Sequence, residues 1–151
     1  MYEEQSISQN MRNISLKLEN SDFASTKITR SQDAEAAIRK FYGDDLELFE
    51  SFFLLLLNNA NMTTGYVKIS QGGCAGTVVD PKIIAKYAID TLSAGVILAH
   101  NHPSGDTRPS EADKIITAKI KAGLQLFDIK VLDHIILTAT GYLSFMDDGI
   151  M

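Results

Sequence analysis

Gly95-Val96-Ile97-Leu98-Ala99-His100-Asn101-His102-Pro103, continued by Ser104-Gly105-Asp106-Thr107-Arg108-Pro109-Ser110-Glu111-Ala112-Asp113, is the stretch from which the rest of the chain is read. Its opening residues are apolar and β-leaning, and Pro103 forbids a helix through the segment, so His100 and His102 stand at a strand end. Positions i and i+2 of an extended chain share a face, so both imidazoles can converge on one point while Asn101 faces away. Pro109 and Ser110 then mark the start of a helix whose apolar face is read as Ala112, Ile115, Ile116 and Ile120, with Gly123 ending it. The intervening loop of about ten residues is long enough to fold Asp113 back onto the histidines.

Two neutral imidazoles and one carboxylate leave the fourth position of a tetrahedral zinc ion open for water, which is the catalytic rather than the structural pattern. Other readings of the same residues stay open at this level. Ser110-x-x-Asp113 also fits a capping box that merely satisfies helix N-terminal amides. The His-x-His pair fits two loop histidines bonded to backbone, and His134, between Asp133 and Ile135, is a rival third ligand or a buried hydrogen-bonding group behind the ligands.

Composition sets the frame for this stretch. The chain has 151 residues, 45% of them hydrophobic and 22% charged, which suits one globular domain with a sizeable core. A net charge of -5 provides no basic footprint for holding phosphates, which counts against direct nucleic-acid binding by this chain alone. Cys74 is the single cysteine and allows no internal disulfide; with no acid-base partner in view it is read as a buried or structural thiol rather than a nucleophile. No signal-peptide pattern is present, and a cytoplasmic location is the default expectation.

Taken in order, residues 1–12 are polar and without periodicity and are read as a flexible tail, with one domain over 13–151. Ile14, Leu16 and Leu18 alternate with polar residues, the period of a half-buried strand. Ser31 is placed as the cap of a helix running to about Tyr42, with Ala34, Ala37, Ile38 and Phe41 on one face and Gly43 ending it. Phe52 to Leu57 is the most apolar run, far short of the roughly 18 residues needed to cross a membrane, and is read as a buried central strand. Asn58-Asn59-Ala60-Asn61 is turn chemistry, and Tyr66 to Ser70 returns as the second arm of a hairpin. Gln71-Gly72-Gly73-Cys74-Ala75-Gly76 lacks both the phosphate-loop Lys-Ser/Thr and the dinucleotide Gly-x-Gly-x-x-Gly pattern and is expected as a loop or bulge near the site. Pro81 opens a helix through about Leu92, and Ile129 to Leu137 and Tyr142 to Phe145 are two further strands hinged at Gly141.

His100-x-His102-Pro103, six more residues and then Ser110-x-x-Asp113 resemble the signature of the JAMM (MPN/JAB domain) metalloproteases. Within that superfamily, His100-Asn101-His102-Pro103-Ser104-Gly105, then Pro109-Ser110 and Val131-Leu132-Asp133-His134, are similar to the bacterial RadC-like branch over roughly residues 28–148. The resemblance implies an α/β fold, a single-domain mixed β-sheet flanked by helices in the JAB/MPN (cytidine-deaminase-like) architecture. The element order strand-helix-strand-strand-helix-strand-helix-strand-strand is compatible with it. It implies zinc (Zn2+) held by His100, His102 and Asp113. Glu50, in Glu-x-Phe at the mouth of the apolar strand, resembles the family's catalytic glutamate, in preference to the nearby acids Asp44, Asp45 and Glu47.

The activity so implied is that of a zinc metallopeptidase or isopeptidase acting on a peptide or protein substrate. Glu50 would take a proton from a zinc-activated water and pass it to the leaving amine, and Ser110 would donate to the developing oxyanion. Two alternatives are a RadC-like accessory of DNA repair and a non-catalytic MPN interaction module. RadC-like proteins often carry an upstream helix-hairpin-helix module, for which this sequence has no length, so the metal domain alone is expected. The His-x-Glu and Pro-Cys-x-x-Cys elements of nucleobase deaminases are absent. A membrane partner is not expected, and self-association as a homo-oligomer is left open.

Overall fold

The computed structural model describes residues 11–74 and 76–151. The expected tail over 1–12 therefore lies almost wholly outside the described residues. The elements are α1 (Ser31–Tyr42), a 3-10 turn (Gly43–Glu47), β1 (Ser51–Leu57), β2 (Thr63–Gln71), α2 (Pro81–Asp90), β3 (Gly95–Asn101), α3 (Glu111–Gln125), β4 (Lys130–Leu137) and β5 (Tyr142–Ser144). They build the α/β fold implied by the resemblance, with one five-stranded sheet in the order β2-β1-β3-β4-β5. β1 runs antiparallel to both β2 and β3, β3 and β4 are parallel through the α3 crossover, and β5 returns antiparallel to β4.

The unbroken apolar run of β1 has a simple cause: both of its faces are covered. Phe53, Leu55 and Leu57 join Ile97, Ala99, Ile135 and Leu137 against Ala34, Ile38 and Tyr42 of α1. On the opposite face Phe52, Leu54 and Leu56 join Val96 and Leu98 against Ile84 and Ala88 of α2 and Ile120 and Leu124 of α3. β3 holds the middle of the sheet and β1 lies beside it, so the strand read as central is interior by one place. Gly43 ends α1 as expected, at a φ of 53° that other residues rarely adopt. No helix among the described residues is long and apolar enough to cross a membrane.

Four local expectations are corrected. Ile14, Leu16 and Leu18 form no strand and are exposed, because the neighbouring edge of the sheet is met instead by Lys27 bridging Met62 and by Thr26 bonding Thr63. The α1 N-cap is Arg30, not Ser31; the Asp33 carboxylate accepts from the Thr29 and Arg30 amides, which frees Ser31 to donate to Asp147. α3 runs through Gly123 to Gln125, and the left-handed residue that follows it is Asp128, at a φ of 57°. Its buried stripe is Thr117, Ile120 and Leu124, with Ala112 and Ile115 turned to solvent. Cys74 is exposed, not buried, since the loop after β2 lies outside both apolar layers.

The two-layer burial of β1 sets an expectation for stability. Leu54→Ala removes a fully buried side chain and should cost about 2–5 kcal/mol in urea denaturation. Leu16→Ala, at a site without sheet partners, should stay within about 0.5 kcal/mol of the parent.

Candidate metal centre

The site forms where the carboxyl end of β3 meets the start of β1 and the first turn of α3. Phe52 pairs with His100 across the antiparallel β1–β3 ladder, and continuing that register past the strand ends sets Glu50 opposite His102. The lead-in to β1 is held from the other face of β3 by Asn101, which is wholly buried. Its Oδ1 accepts from the Ser51 amide at 2.8 Å, and its Nδ2 donates to the carbonyls of Leu46 and Phe49 at 2.7 and 2.8 Å. Asn101 faces away from the histidines, as the alternation requires, but its part in fixing Glu50's backbone was not foreseen. A polar residue in an otherwise apolar strand, spaced between two histidines, was the available clue.

The loop after β3 is anchored at both ends. His102 donates its amide to Leu137 O at 2.9 Å, and Gly105 turns back to His102 O with a φ of 85°. The Asp106 carboxylate accepts from the Arg108 amide and guanidinium, which holds its pKa down at about 2. Ser110 then caps α3: its hydroxyl accepts from the Asp113 amide at 3.0 Å while Asp113 Oδ2 accepts from the Ser110 amide at 2.7 Å. The capping box is therefore real. It leaves the same carboxylate facing the histidines, with Oδ1 at 3.4 Å from His100 Nε2 and Oδ2 at 3.5 Å from His102 Nε2. Capping and convergence on the histidines are one arrangement.

His102 Nδ1 donates to the Asp106 carbonyl at 2.6 Å, so the Nε2 of the neutral ring carries a bare lone pair. That lone pair lies 2.9 Å from His100 Nε2, with the Asp113 carboxylate beside both. A tetrahedral zinc ion with bonds of about 2.0–2.1 Å needs donor atoms roughly 3.4 Å apart; the Asp113 oxygens meet that spacing, the two imidazole nitrogens are closer and would have to part slightly, and the donor chemistry fits such an ion. Glu50, His100 and His102 form a group that could hold a metal, with one ligand atom from each within 4.8 Å of the others.

The electrostatics favour a cation. Burial opposes ionisation of Asp113, but the adjoining His100 and His102 imidazoles and the Ser110 amide outweigh it and hold the carboxyl well below the usual range. The nearby Asp113 carboxylate raises the pKa of His102 by favouring its charged form. Desolvation raises that of Glu50 against the attraction of the two histidines. His134 is not at the donor cluster. It is wholly buried behind it, with Nε2 2.7 Å from His100 Nδ1 and Nδ1 2.6 Å from Thr117 Oγ1. Thr117 also escaped the sequence reading; a hydroxyl one helical turn after Asp113, on the stripe that must face the sheet, was its only trace.

Comparison with known proteins places this geometry in a family context. A model for the RadC-like JAB domain matches residues 28–150. A UPF0758 protein of Flavobacterium johnsoniae is 45% identical over 124 residues, covering 82% of this chain and 53% of the relative. The UPF0758 protein YfjY of Escherichia coli is 43% identical over 102 residues, 68% of this chain and 64% of the relative. A UPF0758 protein of Saccharophagus degradans is 39% identical over 121 residues, 79% of this chain and 54% of its own length. The chain thus spans between half and two thirds of the length of these relatives.

Asn101→Ala leaves the buried Ser51 amide and the Leu46 and Phe49 carbonyls without this partner and should cost on the order of 2 kcal/mol. Urea denaturation measures the loss, and faster amide hydrogen exchange at Ser51 would locate it at the start of β1.

Proposed function

The chain belongs to the RadC-like JAB domain family, and from that premise we propose that it is a zinc-dependent hydrolase of the JAMM type, cleaving peptide or isopeptide bonds. The observation that carries this reading is the convergence of two imidazole Nε2 atoms and one carboxylate at 2.9–3.5 Å, with a second, half-buried carboxylate alongside. His100, His102 and Asp113 would hold the ion. When bound, zinc supplies a Lewis acid that polarises a carbonyl and brings a water's pKa toward neutrality.

The protein's own groups supply the rest. Glu50 is positioned to accept the proton of the attacking water and return it to the leaving amine. Its raised pKa suits that exchange better than an ordinary exposed carboxylate would, since a base works best near the operating pH. Ser110 spends its oxygen lone pair on the Asp113 amide, so its hydroxyl proton is free to donate toward an oxyanion. Asp113 is fixed by the capping box before any ligand arrives, so little reorganisation accompanies binding.

A second reading rests on the grouping of Glu50 with the two histidines: Glu50 as a fourth ligand would close the site and make it structural. Elemental analysis separates the two. Protein purified without chelator should carry about one zinc per chain, lost in His100→Ala and Asp113→Ala. Glu50→Gln should keep the metal while lowering hydrolysis of a peptide and isopeptide substrate panel by about 100-fold or more. Loss of zinc in Glu50→Gln would favour the closed site, and no zinc in the parent protein after resupply would overturn the hydrolase.

A further inference from the structure

The layer beneath His100 is apolar except for one line of polar atoms. His134 sits on β4 opposite Leu98, its ring stacked on Phe145 at 4.6 Å and edge-on to Phe52 at 5.5 Å. Both of its nitrogens are nonetheless engaged, one by His100 Nδ1 and the other by Thr117 Oγ1. Thr117 Oγ1 in turn lies 2.6 Å from the carbonyl oxygen of Asp113.

Proton counting gives this line a direction. A carbonyl oxygen only accepts, so the Thr117 hydroxyl proton points at Asp113 O and the Thr117 oxygen accepts from His134 Nδ1–H. His134 Nε2 is then a bare acceptor, and the proton in its 2.7 Å contact comes from His100 Nδ1. The remaining nitrogen of a neutral His100, Nε2, is left with a lone pair aimed at His102 and Asp113. The opposite polarity would set oxygen lone pairs of Thr117 and Asp113 against each other at 2.6 Å and put a proton on His100 Nε2, where a metal needs a lone pair.

We propose that Thr117 and His134 are positioning residues that lock His100 in its Nδ1–H tautomer and so present a bare Nε2 to the metal centre. The inference rests on reading that centre as a metal site. The line begins at the backbone of Asp113 and ends at the ring of His100, so two of the candidate ligands are set by one run of hydrogen bonds. It reaches them through the interior, independently of the surface loop that orients His102.

The chain has 3 histidines, so imidazole nitrogen NMR on the metal-free protein at pH 8 resolves the tautomers directly. His100 and His134 should both show Nδ1–H. Thr117→Val, which keeps the side-chain shape and removes the hydroxyl, should shift both rings toward Nε2–H. It should also weaken zinc binding, measured by chelator competition, by about 10- to 100-fold. Thr117→Ser should restore both readouts. His134→Gln, which keeps an acceptor, should bind zinc more tightly than His134→Leu. An Nε2–H His100 in the parent protein, or a folded Thr117→Val with unchanged tautomers and zinc affinity, would overturn the proposal. Failure of the parent protein to bind zinc would overturn the metal reading alone, since the metal-free spectra decide the tautomer lock by themselves.

Discussion

The antiparallel pairing of β1 with β3, clamped at its end by Asn101, is the constraint on which the rest of the site depends. The ladder sets Phe52 against His100 and so determines which residue of the incoming chain faces His102. The three Asn101 bonds then hold the segment before β1, alongside the backbone bonds that Glu50 exchanges with Gly72 and Gly73. Because β1 and β3 are buried on both faces, a slip of one residue would move phenylalanine and leucine side chains between two different cores. The geometry of the candidate site and the packing of the core are enforced by the same register.

Asp113 shows why two readings of one motif need not compete. A carboxylate at the third position of a helix is held by amides at its own helix end, and such amides favour its charged form. The capping box thereby supplies what a ligand requires: a fixed, ionised oxygen pair on a rigid element. The two histidine contacts add to the same preference, which is why burial does not raise the Asp113 pKa. The local helix chemistry prepares the long-range chemistry.

What the sequence revealed follows the range of the interactions involved. His100 and His102 sharing a face, Pro81 opening α2 and Gly43 closing α1 are decided within a few residues and were legible. Ile14, Leu16 and Leu18 were misread because alternation states only which face is apolar and not whether a partner strand exists. Ser31 was misread because Arg30 and Asp33 supply the cap one residue earlier. Thr117 and Asn101 are polar residues whose partners lie far along the chain, and pattern counting on an apolar stripe passes over them. Strand order is set by contacts between remote segments and lay beyond local periodicity altogether.

The crossover from β3 to β4 carries a consequence for how the protein acquires its site. The loop and helix that present Asp113 are the same chain that links two parallel neighbours, and His134 lies on the second of them. Parallel pairing over such a connection is a slow, late step compared with closing a hairpin such as β1–β2. His100 thus gains its support from His134 only once β4 has paired with β3. A ligand held at the donor set reports on the finished fold, and by mass action it stabilises that state over every partly assembled one.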